Sequence, residues 1–167
     1  IQILVALKFL HPKIMHMDIK PANILISASG RVYIADFGTM VKQKRLQDPE
    51  SMQRYSELGT VLFWPPERAQ NMPFDYRSDI WNLGITLFVL STGKLPFSCI
   101  NATHFQIRDM IEKLDIKEVL KEKSSSFSPE FADFLEKCLQ KDPCERASAE
   151  ELQNHPFIKI YNSDYIN

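Results

Sequence analysis

The sequence predicts a mainly α-helical domain that carries one small β-hairpin near its amino end. In several segments apolar residues recur at spacings of three and four, which is the period of a helix with one buried face. Two short aliphatic, β-branched segments flank the small polar stretch at residues 27–30, which is the pattern of a hairpin. At 167 residues the chain has the length of about one domain with its own core.

The first elements along the chain are a helix and the hairpin. Residues 1–10 form an apolar run with helical periodicity. Its stripe consists of Ile3, Ala6, Leu7 and Leu10. The hairpin strands are predicted at residues 23–26 and 31–34. Residues 39–64 are polar, contain Pro49 and lack sustained periodicity, so we expect a long loop that is either functional or disordered.

A central buried helix is predicted in the middle of the chain. It runs from the N-cap Ser78 to about Thr92, ends at Gly93 and is apolar on nearly all sides. A half-exposed helix follows, and a short helix is predicted near residues 117–122. The apolar positions of the half-exposed helix are Phe105, Ile107, Met110, Ile111 and Leu114.

Two further helices are predicted from their caps. Ser128 caps a helix that has Pro129 at its first position, an arrangement that helices favour. The core-facing stripe of that helix is Phe131, Phe134, Leu135, Cys138 and Leu139. Ser148 and Glu151 form a capping box that opens one more helix, which stops before Pro156.

Composition excludes several function classes. The formal net charge of −1 argues against nucleic acid or an anionic membrane as the main partner. No apolar run approaches the roughly 18–20 residues that a membrane span needs. The cysteines Cys99, Cys138 and Cys144 are odd in number and form no C-x-x-C pair, which favours reduced thiols and a cytoplasmic location.

Residues typical of catalysis are concentrated between positions 16 and 38. The first run is His16-Met17-Asp18-Ile19-Lys20-Pro21-Ala22-Asn23, and the second is Asp36-Phe37-Gly38. Their order and spacing resemble the H-R-D-x-K-x-x-N catalytic loop and the D-F-G turn of protein kinases. The combination of two such runs in one order is far more specific than a lone tripeptide.

The resemblance implies a role for each residue. Asp18 would accept the proton of the attacking hydroxyl, and Lys20 would lie beside the γ-phosphate of ATP. Asn23 and Asp36 would hold Mg²⁺ ions, with the short hairpin between them fixing their separation. Leu25 would form part of the floor under adenine, and the ordinary alternative for a leucine is burial in the core.

Further runs downstream are similar to later kinase motifs. They are Gly59-Thr60, Pro65-Pro66-Glu67, Asp79-Ile80-Trp81-Asn82-Leu83-Gly84, Arg146 and His155-Pro156-Phe157. The resemblance implies that residues 39–64 are the activation segment and that Glu67 pairs with Arg146. It also implies that Asp79 accepts backbone N–H bonds from the catalytic loop, while His16 packs against the phenylalanine of D-F-G.

The substrate class follows from the same resemblance. Lys20, two residues after the catalytic aspartate, and Thr60, ahead of the P-P-E motif, are typical of serine/threonine kinases. Residues 75–87 and 138–143 are similar to MAP kinase kinases, which phosphorylate threonine and tyrosine. Serine/threonine specificity and dual specificity therefore both stay open.

Several kinase motifs do not precede this region. No G-x-G-x-x-G loop and no V-A-I-K lysine lie upstream of the catalytic loop. We therefore expect residues 1–160 to be the carboxyl-terminal lobe of a kinase domain and residues 161–167 to be a tail. The amino-terminal lobe would be absent from this chain, and the chain alone would be inactive.

The expected function is transfer of the γ-phosphate of ATP to protein serine or threonine hydroxyls, with ATP and Mg²⁺ as cofactors. A protein substrate and an upstream regulatory kinase are the expected partners, without nucleic acid or membrane. The alternative is a pseudokinase or truncated kinase lobe that acts as a protein-interaction scaffold. The departures Met17, Pro65 and Asn82 remove no group that touches ATP, Mg²⁺ or substrate.

Met17 bears on regulation. Kinases with arginine at this position pair it with a phosphate on the activation segment. Methionine has no charge and no donor, so phosphorylation of Ser51 or Ser56 is expected to change activity only modestly. Tyr55 is a further hydroxyl in the segment, and Thr60 is expected to contact Asp18 and Lys20.

Overall fold

The computed structural model describes residues 1–43 and 49–162 as a mainly helical fold with two small antiparallel sheets. The helices are α1 (Gln2–Leu10), α2 (Pro49–Ser56), α3 (Pro66–Ala69), α4 (Arg77–Thr92), α5 (His104–Lys113), α6 (Ile116–Glu122), α7 (Pro129–Cys138), α8 (Ala149–Gln153) and α9 (Pro156–Asn162). The strands are β1 (Ile14–Met15), β2 (Ile24–Ile26), β3 (Val32–Ile34) and β4 (Val41–Lys42).

The predicted hairpin is confirmed as β2 paired with β3. Ile24 lies opposite Ile34, and the N–H of Ser27 donates to the carbonyl of Arg31 at 2.9 Å across the turn. Gly30 closes this turn at a φ of 77°, a conformation that glycine adopts without steric cost. The ladder fixes where the chain enters and leaves the hairpin, and both ends carry predicted site residues.

A second ladder was not predicted. Strand β1 pairs with β4, with Ile14 opposite Lys42 and Met15 opposite Val41. Strands of two residues are too short to show a period, so only the tertiary structure reveals them. This ladder joins the chain that follows the hairpin to the two residues immediately before His16.

Helix α4 lies at the centre of the domain, as predicted. Its residues from Ser78 to Thr86 are buried, and Gly93 ends it at a φ of 70°. The predicted N-cap was wrong, because the helix begins at Arg77 and Ser78 lies inside it. There the Ser78 hydroxyl donates to a carboxylate oxygen of Glu67 at 3.3 Å instead of capping the helix.

Gly84 explains how closely α4 and α7 approach. A Cβ placed on Gly84 would lie 2.8 Å from the Cβ of Cys138 and 2.8 Å from the side chain of Leu139. Both of these residues belong to the stripe predicted for the helix after Ser128, and both are buried. The close approach excludes any larger residue at position 84 without movement of the core.

Helix α1 packs against α8 and β3. Leu4 and Leu7 are its buried residues, so Leu4 lies on the buried face although it was outside the predicted stripe. The other members of that stripe, Ile3, Ala6 and Leu10, are half-buried. The side chain of Gln2 accepts a hydrogen bond from the N–H of Val32 at 2.9 Å, which fixes the helix against the hairpin.

The caps predicted for two helices after α4 are confirmed. Ser128 accepts from the N–H of Phe131, and Ser148 forms the predicted capping box with Glu151. Helix α5 carries a capping box of its own, Thr103 with Gln106, that was not predicted. Phe105, expected on the apolar face of this helix, is instead 81% exposed, and α9 was not predicted at all.

The region predicted as a long loop contains regular structure. Within residues 39–64 the structure places β4, α2 and a 3₁₀ turn at Val61–Phe63, while residues 44–48 lie outside the described part of the chain. Helix α2 is polar overall and spans only eight residues, too few for a sustained apolar stripe to predict it. Among the described helices none is both long and apolar enough to cross a membrane.

Candidate active site

Asp18 is the centre of the candidate site. It is buried in the loop between β1 and a 3₁₀ turn at Pro21–Asn23. Its Oδ2 lies 2.7 Å from Nζ of Lys20 and 3.1 Å from Nδ2 of Asn23. Its Oδ1 accepts a hydrogen bond from the backbone N–H of Thr60 at 2.8 Å. Three residue positions from two chain segments therefore fix one carboxylate.

The same contacts control the ionisation of Asp18. Burial raises its pKa, because the charged form loses hydration. Hydrogen bonds from Lys20 and Thr60, together with the charge of Lys20, outweigh burial, so the pKa lies below its ordinary value. Asp18 is therefore ionised at neutral pH and keeps an oxygen able to accept a proton.

Lys20 and Thr60, which both contact this carboxylate, also contact each other. Nζ of Lys20 donates to the hydroxyl of Thr60 at 2.7 Å, as the sequence predicted for Thr60. Gly59 has a φ of 76°, and a Cβ added there would collide with the carbonyl oxygen of Met17. Glycine is thus required where this segment meets the catalytic loop.

Asn23 is buried and held by Asp18. Its Nδ2 donates to the backbone carbonyl of Asp18 at 2.8 Å as well as to the carboxylate. With the amide nitrogen committed in this way, Oδ1 is the Asn23 side-chain atom that can bind a cation. The carbonyl of Asn23 accepts from the N–H of Ala35 at 2.8 Å, so the hairpin ends beside it.

Asp36 lies two residues after the end of β3, the other strand of the hairpin. It is exposed, has a φ of 60° and accepts a hydrogen bond from the N–H of Gly38 at 3.2 Å. A positive φ is uncommon outside glycine and is tolerated better by aspartate than by most residues. Within residues 1–43 and 49–162, no hydrogen bond joins Asp36 to Asp18, Lys20 or Asn23.

His16 connects the two predicted motifs. Its Nε2 lies 3.0 Å from the carbonyl of Ala35, and its ring meets the ring of Phe37 edge-on with centroids 5.7 Å apart. Its own carbonyl accepts from the hydroxyl of Thr39 at 2.9 Å. The contact with Phe37 confirms the packing that the kinase resemblance implied. A histidine engaged in this way orders the loop and is not placed as a base.

Asp79 holds the backbone of the loop that leads to Asp18. Its carboxylate accepts the backbone N–H groups of His16 and Met17, each at 2.8 Å, as predicted. Nε2 of His11 lies 3.3 Å from the same carboxylate. Met17 itself has a φ of 73°, a strained conformation for a residue with a flexible side chain. The buried carboxylate holds that conformation in place.

Leu25 lies on β2 and is 53% exposed. It shares the hairpin with the exposed side chains of Ile26 and Tyr33, and Phe37 nearby is also exposed. The alternative of ordinary core burial is therefore wrong for Leu25. An exposed apolar side chain beside the site can contact the flat face of a ligand.

Glu67 and Arg146 form the predicted ion pair. Two nitrogens of the guanidinium donate to the two carboxylate oxygens at 2.8 Å and 2.9 Å, and both side chains are buried. The next residue, Arg68, is also fully buried and reaches the catalytic loop. The sequence motifs did not indicate Arg68, because the acceptors described for its guanidinium are backbone carbonyls, which no motif identifies.

The donor set fits Mg²⁺ better than a softer metal. Asn23 and Asp36 offer hard oxygen ligands from the two ends of one hairpin. Over the described ranges 1–43 and 49–162, no group of three or more His, Cys, Asp or Glu could hold a metal ion. Mg²⁺ is ordinarily bound by one or two carboxylates together with phosphates and water, and Asp36 offers such a carboxylate.

Comparison with known proteins gives one family. Residues 1–158 match the protein kinase domain. Mitogen-activated protein kinase kinase 3 of Arabidopsis thaliana is 37% identical over 168 residues, covering 99% of this chain and 31% of that protein. The serine/threonine-protein kinase ppk11 of Schizosaccharomyces pombe is 39% identical over 161 residues, covering 96% of this chain and 49% of that protein.

A third relative is the dual specificity mitogen-activated protein kinase kinase mek-1 of Caenorhabditis elegans. It is 37% identical over 163 residues, covering 95% of this chain and 44% of that protein. The chain thus spans less than half the length of each of these three relatives.

Proposed function

Because this chain belongs to the protein kinase family, we propose that the protein carrying it transfers the γ-phosphate of ATP to serine or threonine hydroxyls of other proteins. The observation that carries this proposal is the buried Asp18 carboxylate, held by Lys20, Asn23 and the N–H of Thr60. A carboxylate fixed from several sides is the arrangement that proton acceptance from a hydroxyl requires.

Asp18 acts as the proton acceptor in this proposal. Its ionised form is favoured by the hydrogen bonds and charge that lower its pKa, so it is ready at neutral pH. Lys20 neutralises the carboxylate before substrate binds and can turn toward phosphate oxygens, because its side chain is only half-buried. Thr60 keeps the acceptor oxygen oriented throughout.

Asn23 and Asp36 are proposed to hold Mg²⁺ against the phosphates of ATP. When bound, Mg²⁺ neutralises charge on the phosphates during transfer. Asn23 is preset by its bonds to Asp18, whereas Asp36 is presented at the surface by its turn. Leu25 is proposed to lie under the adenine ring, since its side chain is exposed on the hairpin.

The domain boundaries and the substrate range belong to the same proposal. Residues 1–160 are assigned to the carboxyl-terminal lobe and residues 161–167 to a tail, of which 163–167 lie outside the described residues. Acceptor tyrosine in addition to threonine is supported by likeness to a dual specificity relative. An upstream kinase and a cytoplasmic location are proposed as well, the latter supported by the free thiols at Cys99, Cys138 and Cys144.

A scaffold function is the second candidate. It is favoured by exposed apolar side chains away from Asp18, namely Ile100 at 86% and Phe105 at 81% exposure. Such side chains beside α5 can contact another protein without any phosphate transfer. The two candidates differ in whether Asp18 matters for activity.

The test uses the full-length protein that carries this chain, supplied with Mg²⁺, radiolabelled ATP and a general protein acceptor. We expect labelled phosphoserine and phosphothreonine, with phosphotyrosine if specificity is dual. Asp18→Asn should remove the label, whereas Asp142→Asn should not, because Asp142 is exposed and the hydrogen bond described for its carboxylate comes from the N–H of Cys144, away from Asp18. Equal labelling by wild type and Asp18→Asn would contradict the proposed role of Asp18 and would favour the scaffold function.

A further inference from the structure

Arg68 joins two segments of the candidate site. Its side chain is fully buried and extends from α3. Nη1 donates to the carbonyl of Met17 at 3.5 Å, and Nη2 donates to the carbonyl of Leu58 at a shorter distance. Because a guanidinium is rigid and planar, it holds both carbonyls at a fixed separation.

These two carbonyls lie on either side of one functional hydrogen bond. Met17 immediately precedes Asp18, and Leu58 lies two residues before Thr60. The N–H of Thr60 donates to Asp18 at 2.8 Å. Between them, Gly59 is so close to Met17 that a Cβ would collide with its carbonyl oxygen. Arg68 therefore binds both chain segments that form the Thr60–Asp18 hydrogen bond, which orients the Asp18 carboxylate.

Opposite charges hold the Met17 residue at both of its backbone groups. Its N–H donates to the buried carboxylate of Asp79 at 2.8 Å, while its carbonyl accepts from Arg68. The φ of 73° at Met17 is a conformation that surrounding contacts must maintain. Arg68 and Asp79 together supply those contacts.

The surroundings of Arg68 keep it rigid and charged. Its guanidinium carbon lies 4.7 Å from the ring centre of Trp64 and 5.4 Å from that of Phe74. The indole N–H of Trp64 donates to the carbonyl of Leu58 as well, at 3.0 Å. Burial lowers the pKa of Arg68 to about 10, while Asp79 and Glu67 oppose that shift, so it stays cationic at neutral pH.

We propose that Arg68 is a positioning residue which, by clamping the carbonyls of Met17 and Leu58, holds the Thr60 N–H against Asp18 without any phosphate on the activation segment. The proposal rests on the proposed kinase function for its catalytic consequence. The clamp itself is a property of the folded chain and can be measured without turnover.

The experiment compares wild type with Arg68→Lys in the full-length protein. Lysine keeps the buried positive charge but lacks the two separate Nη donors of the guanidinium, so it can bind only one of the two carbonyls. Residue-resolved hydrogen exchange should show faster exchange at the Thr60 amide, by roughly tenfold or more, with α7 unchanged. Trp64→Phe, which removes the other donor to Leu58, should give a smaller increase at Thr60.

Kinetics supply the second readout. Arg68→Lys should lower kcat by about ten- to a hundredfold, since small misplacements of a catalytic group are costly, and should leave the KM for Mg·ATP nearly unchanged.

Arg108→Lys is the matched control. Arg108 also donates to a carbonyl, that of Ala69 at 2.6 Å, and its guanidinium lies 6.0 Å from the Trp64 ring. It touches neither Met17 nor Leu58 in the described contacts, so exchange at Thr60 should stay at the wild-type rate.

Three outcomes decide the matter. Faster exchange confined to the Thr60 segment in Arg68→Lys supports the clamp. Unchanged exchange at Thr60, or an equal increase in α7, overturns it, because Arg68 would then be irrelevant to the site or merely structural. If the wild type transfers no phosphate, the proposed function falls while the exchange comparison still decides whether Arg68 holds Thr60 on Asp18.

Discussion

The catalytic loop around Asp18 and the turn that carries Asp36 are held in opposite ways, although both belong to one proposed reaction. Asp18 is buried and bound by Lys20, Asn23 and Thr60. Asp36 is exposed, and the hydrogen bond to its carboxylate comes from Gly38 in its own turn. The first carboxylate is fixed by distant parts of the chain, and the second by its immediate neighbours.

This difference indicates separate roles for the two carboxylates in the proposed reaction. A proton acceptor must be oriented before substrate arrives, and tertiary contacts supply that orientation. A metal ligand can complete its geometry when the cation and phosphates bind, so local support is sufficient. We therefore expect substitutions around Asp18 to lower the rate of phosphate transfer. Substitutions around Asp36 should instead weaken nucleotide binding.

The largest effect is expected from the two carboxylates themselves. In the full-length protein, Asp18→Asn should lower single-turnover phosphate transfer by about 10²–10⁴-fold, because positioned proton acceptance is lost. Asp36→Ala should lower it at least as much, because a metal ligand is lost as well. Asp142→Asn serves as the control and should stay close to wild type. Wild-type rates in either site variant would refute the assignment of that residue.

The buried ion pair of Glu67 with Arg146 should contribute more to stability than an exposed ion pair. Arg146→Met leaves the Glu67 carboxylate buried without its partner, and the expected loss is about 3–5 kcal/mol of the free energy of unfolding. Lys8→Met breaks an exposed pair with Glu150 and should cost about 0–1 kcal/mol. Urea unfolding of both variants measures the contrast. Equal losses would mean that burial of the first pair contributes nothing.

The loss of folding stability at acid pH should depend on the Asp18 carboxylate. Its folded-state pKa lies below the ordinary value, so the ionised carboxylate stabilises the fold above the unfolded-state pKa. That stabilisation is lost as the pH falls through the folded-state pKa. Lys20→Met removes the main interactions that lower this pKa, so its melting temperature should fall less steeply than that of wild type as the pH falls below about 5.

A matched surface change controls this measurement. Lys8→Met also removes one lysine, but its partner Glu150 is exposed, so its acid profile should run parallel to that of wild type. Parallel profiles for Lys20→Met and wild type would show that Lys20 does not lower the pKa of Asp18.

The smallest effect is expected from phosphates on the activation segment. Met17 is fully buried and packs with Met15, Val41 and Phe74 in an apolar cluster that cannot bind a phosphate. The side chains of Ser51 and Ser56 lie outside the described residues. Ser51→Ala and Ser56→Ala should change turnover only a few-fold, measured beside phosphatase-treated wild type. Silencing of the wild type by dephosphorylation would contradict the inference from Met17.

What the sequence predicted correctly depended on local patterns. The hairpin, the Ser128 cap and the capping box of Ser148 with Glu151 are each specified by residues close together in the chain. The start of α4 was misplaced because Ser78 uses its hydroxyl on Glu67, a partner eleven positions away. Rules based on neighbouring residues do not predict that a distant side chain will compete for a capping hydroxyl.

The candidate site shows the same limit. The identities of Asp18, Lys20, Asn23 and Asp36 came from motif spacing, but the contrast between a buried and an exposed carboxylate did not. Arg68 could not be found, because it binds carbonyls fifty-one and ten positions away, and every residue has a carbonyl. The pairing of β1 with β4 was equally invisible, since two-residue strands carry no period.

The most direct test of this division of work is the binding of Mg·ATP to the full-length protein, measured by calorimetric titration for wild type, Asp18→Asn and Asp36→Ala. If Asp18 serves proton transfer and Asp36 serves the metal, Asp18→Asn should bind Mg·ATP with nearly the wild-type Kd. Asp36→Ala should bind it at least about tenfold more weakly. Equal weakening by both substitutions, or weakening by Asp18→Asn alone, would contradict the account.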